Sequence, residues 1–287
     1  MSSSQIYEQH YRRLDPSIPL RTRRWIPIAR EGIKALISFR AYLGLISIAW
    51  LPIFGRLVQV YLTTRIPEAR RLAPVDDKFF FDACGGIQVM FMLLMAVYAG
   101  TGLIANDMRT GGLLLYLSRP LTLSDYILGK FSILFVSLSM VTLVPNLVLF
   151  IGARSLAPDV LGDVGHLLLV PKIIGFSLVL ILPTIGLVLV MSALARNPRF
   201  AGLGFFFVFV GSTVAQGIAW RATRSSYAGL ISITAAMRRV GEAIFEVKPA
   251  RMTADLPAEW AFAVLAILTI GCFLVLKTRV RAVEIVK

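Results

Sequence analysis

Apolar residues along this chain gather in six runs that are long and nearly free of charge. They cover about Tyr42–Leu62, Gly86–Ala105, Ile127–Ala153, Leu167–Ala195, Phe200–Trp220 and Trp260–Leu276. A run of about 18 or more apolar residues is long enough to carry a helix through the hydrocarbon core of a bilayer. The expected fold is therefore all-α, a polytopic integral membrane protein of about six transmembrane helices. Ahead of the first run the period changes. Trp25, Ile28, Ala29, Ile33, Leu36 and Ile37 recur at helical spacing, while Arg23, Arg24, Arg30, Glu31, Lys34 and Ser38 fill the other face. This predicts an amphipathic helix over 23–40 lying in the membrane interface. Residues 1–22 read as a polar tail without the apolar core of a signal peptide. Residues 23–287 read as one membrane domain.

Two connections carry patterns of their own. Between the second and third runs, over 106–125, Asn106 or Asp107 can cap a short helix. Leu113, Leu114, Tyr116 and Leu117 give that helix an apolar face, and Pro120 stops it. Thr122 and Asp125 have capping-box spacing and can start the third span. A short helix held at both ends passes a push to both neighbouring spans. Between the fifth and sixth runs, over 221–259, Leu230, Ile231, Met237, Val240, Ile244 and Phe245 predict an amphipathic helix. Arg238, Arg239, Glu242 and Glu246 oppose them, and Pro249 and Pro257 punctuate the end.

Composition strengthens the membrane reading. The chain is 57% hydrophobic and 16% charged, with a mean hydropathy of +0.75. Soluble domains run at about 45–50% apolar and about 25% charged. Six spans and their loops take up nearly all of the 287 residues, so a soluble ATPase domain does not fit. The net charge of +14 flanks the apolar runs, which points to a membrane surface rather than nucleic acid. With both ends placed in the cytoplasm, 17 basic and six acidic residues lie inside, against 12 and ten outside. That asymmetry sets the expected orientation.

The search for chemistry within the chain is mostly negative. There is no Gly-x-x-x-x-Gly-Lys-Ser/Thr phosphate loop, no His-Glu-x-x-His pair and no Gly-x-Ser-x-Gly elbow. His10 and His166 stand apart from any ligand cluster, and Cys84 and Cys272 have no metal spacing. Arg56 in the first run either marks a functional site or snorkels to the interface. Pro145 and Pro183 either open a path by breaking helices or only shape them. Asn146, Pro183 and Gln216 are candidate path-lining residues, with interhelical hydrogen bonding the alternative for the two amides. Phe205, Phe206, Phe207 and Phe209 read as lipid-facing or packing bulk.

The residues with the most identifying power are Asp107, Gly112, Leu113, Leu117, Ser118, Arg119, Pro120, Leu128, Gly129 and Lys130. In that order, between the second and third of six spans, they resemble the first cytoplasmic loop of the type-2 ABC transporter permeases. The resemblance extends to the interfacial helix, which corresponds to that family's elbow, and to the helical insertion before the last span. It implies that Asp107, Arg109, Gly112, Leu113, Leu117, Ser118, Arg119 and Pro120 form a coupling loop docking on an ABC ATPase. The expected function is the permease subunit of an exporter, without its own catalysis, in the cell membrane with cytoplasmic termini. ATP and magnesium are expected on the partner ATPase, and a second permease copy or similar chain completes the assembly. A transducer passing mechanical work to an external partner is the alternative, and an intramembrane enzyme a more distant one. The long, charged connection from Thr63 to Gly85 departs from the family pattern.

Overall fold

The structure, a computed structural model, describes residues 24–66, 74–112, 122–158, 167–195 and 197–285. Its helices are α1 (Trp25–Ile37), α2 (Arg40–Arg65), α3 (Asp77–Gly85), α4 (Ile87–Gly100), α5 (Gly102–Arg109), α6 (Leu123–Val141) and α7 (Leu143–Leu156). They continue as α8 (Leu169–Leu194), α9 (Pro198–Thr223), α10 (Ile233–Ile244) and α11 (Ala258–Ile285). No strand occurs among the described residues. Six stretches are long and apolar enough to span: Arg40–Arg65, Asp77–Arg109, Leu123–Leu156, Leu169–Leu194, Pro198–Thr223 and Ala258–Val280. The even number returns the chain to its starting side. That side, with α1 and the α5 and α6 ends, is the near face below; the other is the far face.

The fourth span is the axis of the bundle. Its apolar window is 72% buried, against 17% for the first span and 22% for the fifth and sixth. It packs on the sixth, fifth, second and third spans. Leu51, Phe54 and Val58 on the first span and Phe200, Leu203 and Phe207 on the fifth stay exposed. In a bilayer these faces meet lipid or another chain. The phenylalanine run of the fifth span divides by helical period: Phe205 and Phe209 are buried, while Phe206 and Phe207 point outward.

The second span is longer than its apolar run predicts. Asp76 caps α3, its carboxylate accepting from the Phe79 amide at 2.9 Å. Phe79, Phe80 and Phe81 are then buried, packing on Phe150, Phe176 and Phe245. Much of the charged connection expected over 63–85 is thus helix. The three charged residues after Val75 disguised an aromatic core segment, because the capping carboxylates sit beside it. The span leaves helical geometry at Gly86 (φ −83°, ψ −125°) and divides again at Thr101, where the backbone dihedrals stay helical (φ −63°, ψ −30°). The third span breaks at Thr142 (φ −113°, ψ −66°), three residues before Pro145.

α1 lies along the near-face end of α6. Its apolar side is seated on glycines. A Cβ on Gly129 would fall 2.8 Å from Ile28, and one on Gly32 would fall 2.1 Å from Ile133. On the far face a 3-10 turn over Ser226–Ile231 and α10 form a lid over the bundle. Met237, Val240 and Phe245 point inward as their spacing predicts. Glu242, expected on the polar side, is instead buried. Its Oε1 accepts from Arg238 Nε at 3.1 Å and from the Ala250 amide at 3.2 Å, closing the loop after α10.

Candidate functional site

The near-face ends of three spans are tied together where the second and third meet. Asp107, inside α5, accepts from Tyr126 Oη at 2.8 Å and pairs with Lys130 Nζ at 2.8 Å. Lys130 is buried despite its charge, and its ammonium also lies 5.4 Å from the Tyr126 ring centre. A buried ammonium at this depth requires an anion and hydrogen-bond acceptors beside it. Ser192 adds the fourth span. At the Thr101 junction its Oγ accepts from the amides of Ile104 and Ala105, each at 3.0 Å, and donates to the Thr101 carbonyl at 2.8 Å. α5 begins at this junction, so the amides of its first turn lack partners within that helix, and a single hydroxyl serves two of them together with the Thr101 carbonyl.

Asp107 and Asn106 do not cap a new helix, as their sequence position predicts. Both lie within the run Gly102–Arg109, which extends the second span past its expected end at Ala105. Asp107 therefore faces the third span, and Arg109 is the exposed charge at the helix end. The chain then turns through Thr110 and Gly111, whose φ of +72° is a left-handed conformation suited to glycine. Gly112 follows. Leu113, Leu117, Ser118, Arg119 and Pro120 lie outside the described residues. The return is fixed by the capping box: Thr122 Oγ1 accepts from the Asp125 amide at 3.2 Å, and Asp125 Oδ2 accepts from the Thr122 amide at 3.3 Å.

A second polar cluster sits deeper. Pro145 has no N–H to donate to the Val141 carbonyl, four residues back. Gln88, fully buried on the second span, supplies the donor. Its Nε2 reaches the Val141 carbonyl and also the Ala49 carbonyl of the first span at 3.2 Å. Trp50 Nε1 donates to the neighbouring Met140 carbonyl at 3.0 Å. Asn146 is buried here too, its Nδ2 donating to the Thr142 carbonyl at 2.7 Å within its own span. Pro183 is buried inside α8. Gln216 lines a far-face cavity. Arg56 places its guanidinium 5.1 Å from the Phe79 ring centre, a cation–π contact on the far side of the first span.

A family model described as ABC-2 family transporter protein matches residues 2–278. The chain belongs to that family. Comparison with curated protein sequences gives no match. An ABC-2 permease is a membrane-spanning subunit of an ABC transporter, and its ATPase is carried by a separate subunit. The multi-pass bundle and its exposed apolar helices fit that role.

The permease brings some sequence-predicted site residues together and separates others. Asp107 joins Lys130, one of the motif residues, while Trp25, Ile28, Ile33 and Leu36 line the seat of α1, with Arg30 on its exposed side. Asn146 and Pro183 are buried in the third and fourth spans, and Gln216 lines the far-face cavity. Sequence reasoning missed Gln88, Ser192 and Tyr126. A signal for the first existed: a buried proline leaves a carbonyl needing a donor, and Gln88 is the sole side-chain amide in the second apolar run.

Proposed function

We propose that the near-face bracket between the second and third spans receives force from the ABC ATPase and drives export. The observation that carries this reading is the knot of Asp107, Tyr126, Lys130 and Ser192. It joins the near-face ends of three spans beneath a solvent-exposed turn that begins at Arg109. A push on the turn cannot be absorbed locally, because the buried charge and the helix junction at Thr101 both depend on the knot. The spans move together, and the permease passes between inward-open and outward-open states. ATP and magnesium bind the ATPase. The basic near face lies in the cytoplasm of the cell, as the charge asymmetry supports. A second copy or a similar chain covers the apolar faces of the first and fifth spans.

Copurification of the full chain with its ATPase, followed by ATP hydrolysis in lipid nanodiscs, tests the assignment. Arg109→Glu combined with Arg119→Glu is expected to lower ATPase association and to abolish stimulation of hydrolysis by the permease. Wild-type association and stimulation in that variant would refute docking at the bracket. Coupled hydrolysis without flux of any solute, together with crosslinks from 226–256 to another protein, would assign the same machinery to mechanical work instead.

A further inference from the structure

The cavity beneath the far-face lid carries a chemical specificity of its own. Its volume is about 380 Å³, and it lies between the second, fourth and fifth spans and α10. Ligand sites commonly occupy about 300–1,000 Å³ and combine apolar walls with a few placed polar groups. Here the walls are Val89, Phe176 and Leu180, and two guanidiniums, Arg238 and Arg251, line the same space. Among the described residues no acidic side chain lines it. The carboxylate of Glu242 is turned to Arg238 Nε and the Ala250 amide, so it balances only part of this charge. Arg251 is exposed, and the Arg238 side chain is 61% exposed. Gln216 is 7% exposed and lines the cavity, yet its amide has no hydrogen-bond partner among the described residues. That amide is not among the fully buried polar groups left without a partner, so it opens on the cavity and is available to a ligand or water there.

We infer that this cavity binds an amphiphile with an anionic head. The chain lies against Val89, Phe176 and Leu180, the head pairs with Arg251 and Arg238, and Gln216 hydrogen-bonds the linking group. Naming that ligand the transported substrate rests on the export reading above; the binding itself does not. The anion comes either from a soluble organic acid or from an anionic lipid of the membrane.

The test uses the purified full-length permease in phosphatidylcholine nanodiscs and the fluorescent probe 11-(dansylamino)undecanoate. A quaternary ammonium probe of equal chain length serves as its charge-inverted counterpart. Saturable binding of the anionic probe is expected. Arg251→Glu should weaken it about 10-fold or more, the effect of losing one charge-assisted hydrogen bond and adding repulsion. The same variant should gain affinity for the cationic probe. Gln216→Leu, nearly isosteric, should weaken the anionic probe several-fold and leave the charge preference intact. Arg251→Gln serves if the Glu variant does not fold. Competition by phosphatidylglycerol in the disc, seen in wild type and absent from Arg251→Glu, would assign the site to a lipid. Competition only by soluble fatty acids would assign it to an organic acid. Equal affinity of both probes, or equal binding by wild type and the Arg251 variants, would overturn the inference. No ATPase is present, so failure here leaves bracket docking standing, and failure of docking leaves this binding standing.

Discussion

Removing the charge of Asp107 should destabilise the permease more than removing Asp107 and Lys130 together. Asp107→Asn keeps the size of the side chain but leaves the buried Lys130 ammonium without that carboxylate. Breaking a buried pair from one side costs about 3–5 kcal/mol. The Asp107 side chain retains 20% of its exposure, against 9% for Lys130, so the low end applies, about 3 kcal/mol. In Asp107→Asn with Lys130→Met the buried ammonium is gone as well, and the cost should fall to about 1–2 kcal/mol. With about 0.5–1 kcal/mol for Lys130→Met alone, the pair then shows a coupling of about 2 kcal/mol, within the range for contacting residues. Cys84 and Cys272 are free and buried, so a thiol-reactive dye reports unfolding without engineered sites. For a chain of this size about 3 kcal/mol corresponds to a shift of about 5–10 °C. The same series has a functional arm: Asp107→Asn should also lower coupling between ATP hydrolysis and transport, because the bracket loses its tie to the third span. Additive thermal shifts for the two single variants and their combination would refute the argument. A destabilised single variant with normal coupling would show that the knot holds the fold but carries no force.

Gln88→Leu should cost about 1–3 kcal/mol, the penalty for an unpaired buried carbonyl. Adding Pro145→Ala should recover part of it, since alanine returns the amide that Val141 lacks; the dye assay reads both. Gly129→Leu should lift α1 from the third span, because even a Cβ there meets Ile28 at 2.8 Å. Faster tryptic cleavage at Lys34 and Arg40 is the readout, and an unchanged cleavage rate would count against the seat. Cysteine at Thr110 should resist membrane-impermeant maleimide in intact cells, whereas cysteine at Tyr227, which is 54% exposed on the far face, should react. The reverse pattern would invert the proposed orientation.

The spans were legible because each is a long apolar run, and α1 because its stripe keeps helical period over a dozen residues. The start of the third span was legible too: Thr122 and Asp125 are three residues apart and make their bonds locally. What pattern alone could not show was contact at a distance. Asp107 and Lys130 are separated by 23 positions and Ser192 is much farther, so only packing of the helices reveals that they meet. The charges at Asp76, Asp77 and Lys78 made α3 look like loop, although Phe79, Phe80 and Phe81 carry it into the core. Glu242 was misplaced for a related reason. Periodicity assigns a carboxylate to the wet side, and it cannot see that the following loop folds back to supply a backbone donor.

The length of the second span has a consequence for regulation. At about 1.5 Å per residue, its 33 residues measure about 50 Å along the axis, well beyond a hydrocarbon core of about 30 Å. One segment therefore reaches both faces of the bundle. Its far end props the lid through Phe81 against Phe245, at 6.0 Å between ring centres, and lends Val89 to the cavity. Its near end holds Asp107. On the proposed readings, an occupant above and a motor below lean on the same beam. Thermodynamic reciprocity then requires each to alter the other's affinity by an equal factor, and titrating one against the other measures the stiffness of the beam.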